Sequence, residues 1–578
     1  MLRSVRRLFG VVLTSPARAW GALGAIVALL LVVSILPLLR LIPLKILPYD
    51  NKNEFQVVID LPEGSTLERT DVVARRVGRY LSGLSEVRDY QVFVGMASPM
   101  DFNGMVRHYF LRSGSHVADV RVNLIEKGHR VQQSHEIILR IRDDLAKLGM
   151  DLGANLKIVE VPPGPPVLAT ITAEVYGPPN ASYREILAAA GRVESRLAVE
   201  PGVVDVDSSR EADQTLFRFV VDKPKAALSG VSTNHIVETL RAAVAGLPVT
   251  RMHVPEEVEP LWIELRLPRL KRSALDDLQQ LYIRGERGQM VQLGSLGRFA
   301  ESIEDKTIYH KNLRRVAFIY GEIAGVPPAN AIIDMMLDQR PLDTIDSHPE
   351  PVQPRPLGGR NWIWPGGGVP WAIPDGFQVV WTGEGEWKIT LDVFRDLGIA
   401  FAAAQVGIFL LLMFQTGSRI MSMLIMSAIP LTLIGILPGF WLLNVVAGGD
   451  ISGHPNPVFF TATAMIGVIA LSGIVVRNSV VLIDFIRMSV EEGKSLEDAV
   501  VGSVIVRTRP IFLTAGTTLL ANWVITLDPV FSGLAWAIIF GISASTVFTL
   551  FVVPLAYWLL NRNTPHSRRL QPLEARQN

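Results

Sequence analysis

Apolar residues are distributed along this chain in two regimes, one continuous and one periodic. Trp20 to Leu39 is an uncharged run of 20 residues, enough for the ~30 Å hydrocarbon core of a bilayer. Its apolar length exceeds the ~7–15 residues of a secretion signal, and no small-x-small cleavage site precedes a polar start, so it reads as a retained anchor. Five further runs crowd the last third, near Leu397–Phe414, Met421–Val446, Val458–Ile486, Pro510–Thr526 and Leu534–Leu560. The third of these five is long enough to tilt or to protrude. From about Gln56 to Arg395 no run reaches spanning length, and the pattern alternates between period 2 and period 3.6.

That periodic region predicts strand–helix–strand units. Phe55–Leu61, Thr66–Leu81 and Val87–Val94 form the first, and Ala118–Leu124, Ser134–Leu148 and Leu156–Val161 the second. Ala169–Tyr176, Ser182–Leu197 and Val203–Val206 form a third, followed by a strand at Leu216–Val221. Such alternation fits small ferredoxin-like βαβ sandwiches, and Pro162-Pro-Gly-Pro-Pro166 marks a hinge between two of them. Lys223 to Phe299 reads as a separate insert, with a helix at Thr233–Ala245, strands around Leu261–Leu267 and a Gly-rich turn at Gly285–Gly288. His348 to Gly376 is rich in Pro, Gly and Trp without period, and predicts an irregular loop too aromatic for a disordered linker. The expected fold class is therefore an α+β membrane protein, six spanning helices arranged one plus five around a large α/β insertion.

Charge orients the spans. Arg3, Arg6, Arg7 and Arg18 precede the first, and Arg419 separates the second and third. Arg487, Lys494, Arg507 and Arg509 are placed between the fourth and fifth, and Arg562, Arg568 and Arg569 follow the sixth. The short loops Ala447–Pro457 and Leu527–Gly533 hold no Lys or Arg. Positive charge inside thus puts both termini in the cytoplasm and the insertion outside. The whole chain of 578 residues is 49% hydrophobic and only 19% charged, below the ~25% usual in soluble domains. Its net charge of +1 gives no general attraction to nucleic acid. The lack of cysteine excludes disulfides and thiolate chemistry. The ten histidines show no zinc-ligand spacing, and neither a phosphate loop nor a Gly-x-Ser-x-Gly elbow is present. No catalytic or metal residue is assigned.

Two clusters carry chemistry. The stretch Gly473-Ile-Val-Val-Arg477-Asn478-Ser-Val-Val-Leu-Ile-Asp484-Phe485 places an arginine inside an apolar span with no acid at its own depth. An ionised group there costs at least ~2.5–3.5 kcal/mol and marks ion or proton pathways. Arg477 and Asp484 share a helix face but stand ~10.5 Å apart in rise. Thr514, Thr518 and Asn522, with Ser543, Thr546 and Thr549, predict a polar stripe facing a hydrated bundle interior. The plainer alternatives are snorkelling of Arg477 over the ~14 Å to the end of its span, an interfacial Asp484, orientation alone for Arg507 and Arg509, and ordinary helix packing for the threonines. The second cluster, Met96, Met100, Phe102, Met105, Tyr109 and Phe110, combines soft and flat side chains suited to apolar ligands. Ordinary core packing is its alternative.

The order of one span, a large α/β domain and five spans resembles half of a resistance–nodulation–division (RND) superfamily permease. The stretch Gly473–Phe485 resembles the tenth span of its drug-efflux members, and Glu492-Gly-Lys494, Arg507-Thr-Arg-Pro510 and Leu513-Thr514 resemble the entry to the eleventh. Leu44-Lys-Ile-Leu-Pro48 and Gly64-Ser-Thr66 resemble the exit from the seventh. The likeness covers nearly the whole chain and is that of the carboxy-terminal half of a hydrophobe/amphiphile-type permease.

The resemblance implies a division into a cytoplasmic start (1–18), first span (19–42), first porter subdomain (43–166), and second porter subdomain in two parts (167–222 and 301–345). A docking-like subdomain (223–300), a Pro/Gly/Trp loop (346–376), a return strand and linker to the membrane (377–395), five spans (396–560) and a cytoplasmic tail (561–578) complete it. It implies proton-coupled export across the bacterial inner membrane without a cofactor. Arg477 stands at the family's lysine position, Arg507 and Thr514 at its arginine and threonine, with Asn478, Thr518 and Asp484 beside them. The family's Asp pair belongs to the other half. Arginine cannot release a proton, so a carboxylate must carry it while Arg477 acts as a fixed counter-charge. The implied partners are an amino-terminal permease half, a homo-trimer of complete permeases, a periplasmic adaptor, an outer-membrane channel and the lipid bilayer. Three other readings stand beside this one: a six-span export accessory like SecD and SecF, an inactive or truncated permease fragment, and copper or silver export on the Met trio.

Overall fold

The computed structural model describes residues 7, 9–162, 164, 167–344 and 352–563. Part of the expected Pro162–Pro166 hinge, residues 346–351 of the expected loop, residues 1–6 and 8 of the expected cytoplasmic start and residues 564–578 of the expected tail lie outside the described residues. The chain divides into two compact units, Met1–Arg210 with Ile308–Asn578, and Glu211–Thr307.

In the larger unit the first apolar run forms α1 (Pro16–Val33), begun by a proline at its first turn and continued by the short helix Ile35–Leu38. A proline is tolerated there because the first helical N–H has no intrahelical partner. The next structure is an antiparallel sheet built from β1 (Glu54–Asp60), β2 (Val87–Met96), β3 (Ser113–Leu124) and β4 (Asn155–Glu160). Helix α2 (Leu67–Ser82) follows β1, and α3 (Ser134–Leu152) follows β3. The spatial order β2-β3-β1-β4 is that of a ferredoxin-like βαββαβ unit. Period-2 alternation sends Phe55, Val57 and Ile59 into a core with Val73, Val77 and Leu81 of α2 and Ile137, Ile141 and Leu145 of α3. The opposite face carries charge: Arg112 joins Asp60 to Asp119, and Lys157 bridges Asp60 to Asp207.

The same order recurs. Strands β5 (Ile171–Tyr176), β6 (Val203–Ser208), β7 (Arg314–Ile323) and β8 (Gln378–Val380) lie as β6-β7-β5-β8. Helix α4 (Tyr183–Ala198) follows β5, and α5 (Pro328–Asp338) follows β7. Between β6 and β7 the chain builds the smaller unit. There Thr215–Val221 pairs antiparallel with Gly297–Ile303, and Val231, Ile236, Ile283, Leu293 and Leu296 form a separate core. The strand expected at Leu216–Val221 as the end of the 167–222 segment therefore belongs to the insert, which spans 211–307 instead of 223–300. Alternation reported that this segment is a strand, but not which strand it pairs with.

Five long apolar helices follow: α6 (Glu386–Thr416), a broken helix comprising Arg419–Met426 and α7 (Leu433–Val446), α8 (Ala462–Glu491), α9 (Leu496–Ile525) and α10 (Ser532–Asn561). With the first, six helices are long and apolar enough to cross a membrane. Small residues set their spacing: a side chain at Gly435 of α7 would lie 2.2 Å from the Phe540 carbonyl of α10, so the two backbones pack directly. One boundary differs from expectation. Pro510 read as the start of the fifth run, but Ser495 caps the helix, its Oγ accepting the Asp498 N–H at 3.1 Å, and the helix runs through Pro510. Arg507 and Arg509 thus lie within α9 and not in a loop.

The Pro/Gly/Trp-rich segment is irregular, as expected, yet firmly held. Asp334 of α5 accepts two bonds from Arg40 at 2.8 Å each and one from Arg360 at 3.1 Å. Arg360 also pairs with Glu200, while Arg196 bridges Glu200 and Asp338 at 2.8 Å each. The N–H groups of Gly366, Gly367, Gly368 and Val369 complete the lone pairs of Asp334 and Asp338. Both acids, Glu200, Arg196 and Arg360 are buried. Burial alone would raise the Asp334 pKa, but the Arg40 and Gly366 donors hold it below the ordinary value. A depressed carboxyl contributes stability above its unfolded pKa of ~3.9 and loses it as pH falls further. Asp334→Ala should cost ~3–5 kcal/mol at pH 7, because the Arg40 guanidinium loses its carboxylate and Arg360 keeps only Glu200. The deficit should shrink below pH 4, whereas Asp71→Ala, which breaks an exposed Arg75 pair, should cost less than ~1 kcal/mol. Unfolding of the detergent-solubilised chain at pH 7 and pH 3.5 checks this.

Candidate functional sites

Arg477 stands at the midpoint of α8, and the face it shares with Gly473, Val481 and Asp484 is exposed. Among the described residues it forms no ion pair or hydrogen bond. The helix continues fourteen residues beyond it to Glu491, ~21 Å of rise. Asp484 is exposed and Asn478 half-buried on the same helix. On α9, Arg507 stacks over Phe485 of α8 at 4.7 Å from the ring centroid, and its buried Nε has no hydrogen-bond partner.

The structure brings Arg507 of α9 against α8. It does not turn the threonines inward as expected. Thr514 is exposed, Thr518 half-buried and Asn522 buried, and each donates back to its own helix, to Ile511, Thr514 and Thr518 carbonyls at 3.0, 2.9 and 2.9 Å. On α10 only Thr546 and Thr549 are buried, their hydroxyls without a partner, and Ser543 faces out. A polar stripe marks which residues share a face, not whether the covering helices belong to the same chain.

The second predicted cluster is also an outer surface. Phe102 and Met105 are 65% and 42% exposed; Met96, Met100 and Phe110 are exposed too, and Tyr109 is half-buried. Core packing is thereby overturned for all but Tyr109. The loop is held from beneath by polar bonds: Asp101 caps Phe102–Val106 through the Gly104 N–H at 2.6 Å, and Arg107 pairs with Glu322 at 2.7 Å. Apolar groups grouped on a surface and supported by a rigid polar base form a binding surface more readily than a folding core.

A third site escaped the sequence reading. A cavity of about 100 Å³ lies where the α1 exit, the α6 start and both sheets meet, lined by Lys45, Arg107, Arg142, Glu160, Glu322 and Glu386 among others. Residues 43–46 are stitched to the entry of α8, Phe460 N–H to Pro43 O at 2.8 Å and Ala462 N–H to Ile46 O at 3.1 Å. This turn lays the Lys45 ammonium 3.5 Å from the centroid of the Tyr49 ring, which stacks in turn on His135. His135 bonds Glu160 at 2.9 Å, and Arg142 pairs with Asp205 at 2.6 Å. Burial opposes the charge on Lys45, but Tyr49, Glu386 and Glu160 keep its pKa above the ordinary lysine value. Burial likewise opposes the Glu160 charge, yet His135, Arg142 and Lys45 hold it below the usual range. The signal available in sequence was Lys45 itself, a lone cation in the apolar stretch Leu44–Leu47.

The chain belongs to the AcrB/AcrD/AcrF family, whose profile matches residues 1–336 and 370–561, and so to the RND superfamily. It is 24% identical over 547 residues to the swarming motility protein SwrC of Bacillus subtilis (strain 168), covering 93% of this chain and 45% of that protein. It is 25% identical over 409 residues to the nickel and cobalt resistance protein CnrA of Cupriavidus metallidurans, covering 69% and 34%. It is also 22% identical over 547 residues to the multidrug export protein AcrF of Escherichia coli (strain K12), covering 92% and 47%. An X-ray structure of a heavy metal efflux pump superposes with a TM-score of 0.73 at 20% identity, over 97% of this chain and 52% of that one, and so shares its fold. The chain spans at most about half the length of these relatives.

Because Phe102 and Met105 are not core residues, Phe102→Ala and Met105→Ala should each shift stability by less than ~0.5 kcal/mol. Ile59→Ala, in the first sheet's core, should cost ~2–5 kcal/mol. Thermal unfolding of the three variants checks the contrast.

Proposed function

We propose that this chain is the carboxy-terminal half of an RND efflux permease, exporting apolar or amphiphilic compounds by proton antiport once an amino-terminal half supplies the missing carboxylates. The observation that carries the reading is the open helix face with Arg477 at mid-length. A guanidinium left facing hydrocarbon costs at least ~2.5–3.5 kcal/mol, and Asp484 on the same exposed face adds to the mismatch. Helices from a second polypeptide segment, bearing acids at the depth of Arg477, would relieve it. Arg477 stays charged throughout the cycle. Its partner carboxylate then carries the proton, and each protonation releases the guanidinium and lets the two helix sets shift. Arg507, held against Phe485 beside Asp484, is the second fixed charge of that path, with Thr514 and Thr518 ordering water near it. The proton-motive force is the only driver required.

The Met96–Phe110 surface is the substrate end in this reading. Thioethers and aromatic faces adapt to varied apolar shapes. The two α/β units above the membrane helices are the porter subdomains on the periplasmic side, the 211–307 insert is the docking element, and both termini are cytoplasmic. A homo-trimer of completed permeases, an adaptor and an outer-membrane channel are the partners. A second reading, soft-metal export, draws on the same exposed methionines and on the metal-resistance relatives.

Co-expression with a candidate amino-terminal half in an efflux-deficient bacterium should restore export of an amphiphilic dye, and a protonophore should abolish it. Arg477→Ala should remove export while membrane insertion is unchanged, and Phe102→Ala should weaken it several-fold. Dye export by this chain alone would sink the half-permease reading. Protection against copper or silver ions, without dye export, would favour the metal reading.

A further inference from the structure

The structure points to a membrane-interface anchor at the tip of the Pro/Gly/Trp-rich segment: we infer that Ile363 and Trp364 insert into the bilayer interface beside the end of the first spanning helix. The tip is tied to that helix directly. The Trp362 N–H donates to the Leu38 carbonyl at 2.8 Å, and the Arg40 guanidinium lies 4.3 Å from the Trp362 ring centroid. Leu38 ends the apolar helix Pro16–Leu38, 23 residues long. That length gives ~34 Å, slightly more than the ~30 Å hydrocarbon core. The Leu38 carbonyl therefore lies where the span leaves hydrocarbon, and the tip lies beside it.

At that depth the tip offers two large apolar side chains outward, Ile363 at 62% and Trp364 at 71% exposure. They extend the lipid-facing row of Leu31, Val32, Ile35 and Leu38, all exposed on the helix. An apolar ring with one polar N–H is the side chain that partitions best to the headgroup level. The tip is built, not slack. Asn361 Oδ1 accepts the Ile363 and Trp364 N–H groups at 2.9 and 2.6 Å, and Arg355 Nη2 donates to the Gly359 and Trp364 carbonyls at 2.9 and 3.1 Å. Its base is locked by the Gly366–Val369 N–H bonds to Asp334 and Asp338. The family match does not cover residues 337–369. Such an anchor makes a rigid strut from α5 to the lipid surface and fixes the height of the second α/β unit above it.

The inference rests on reading Pro16–Leu38 as a span, and the test separates the two. The chain has no cysteine, so single substitutions accept a spin label without background. Ile363→Cys and Trp364→Cys would be labelled in the full chain, reconstituted into phosphatidylcholine–phosphatidylglycerol vesicles. Val27→Cys, exposed within the first span, and Val131→Cys, exposed on the α/β region, serve as references. Collision rates with dissolved oxygen and with a water-soluble nickel chelate report depth. The anchor predicts an oxygen-to-nickel ratio at 363 and 364 several-fold above that at 131 and below that at 27. A ratio at both tip sites equal to that at 131, with 27 still in lipid, overturns the anchor alone. Exclusion of both reagents from the tip means protein covers it and also overturns the anchor. A ratio at 27 equal to that at 131 overturns the span and the anchor with it.

Discussion

Hydrocarbon cannot solvate an isolated guanidinium, and that single constraint organises the membrane half of this protein. Arg477 sits at the middle of a 30-residue helix. The helix face it shares with Asp484 is exposed, with Asn478 half-buried beside it. The buried faces of the same helices are packed conventionally, with Leu471, Val475, Leu482 and Ile486 of α8 in one continuous apolar core. The buried faces also carry hydroxyls, Ser472, Ser479 and Ser489 of α8 and Thr546 and Thr549 of α10.

Charge plays a different part where the helices meet the α/β region. The exit of α1 and the start of α6 converge on one small cavity whose walls alternate in sign, Lys45, Arg107 and Arg142 against Glu160, Glu322 and Glu386. A short distance away Arg40 ties the end of α1 to Asp334 of α5. Buried pairs of this kind add little net stability over apolar packing, yet breaking one is costly. They suit a junction that must keep its register while forces pass through it. A displacement of α1 or α6 is transmitted to both sheets through groups that cannot slide past one another.

Much of this architecture was legible in the residues. The first βαββαβ unit and the opening β5, α4 and β6 of the second follow from period-2 and period-3.6 segments, with Phe55–Leu61 and Ser182–Leu197 within a residue of β1 and α4, whereas β7 and α5 gave no such reading. Continuous apolar runs located the six long helices. What escaped was relational. The strand at Leu216–Val221 was visible, but its pairing with Gly297–Ile303 depends on residues 80 positions away. Pro510 disguised the true start of α9, whose capping signal lies at Ser495 amid polar residues. The outward turn of Thr514 depends on how α9 rotates against its neighbours, which a stripe of like residues does not encode. The charged cavity is assembled from single residues of six separate segments, each unremarkable in its own surroundings.

The insert at 211–307 interrupts the second βαββαβ unit between its second and third strands without breaking either one. It leaves and returns through a single antiparallel ribbon, Thr215–Val221 against Gly297–Ile303, and carries its own apolar core. The host sheet draws none of its four principal strands from it. Evolution could therefore swap, enlarge or discard that module as a cassette, since neither the host's folding nucleus nor its hydrogen-bond ladder is at stake. Diversity among descendants of such a scaffold is free to accumulate there first.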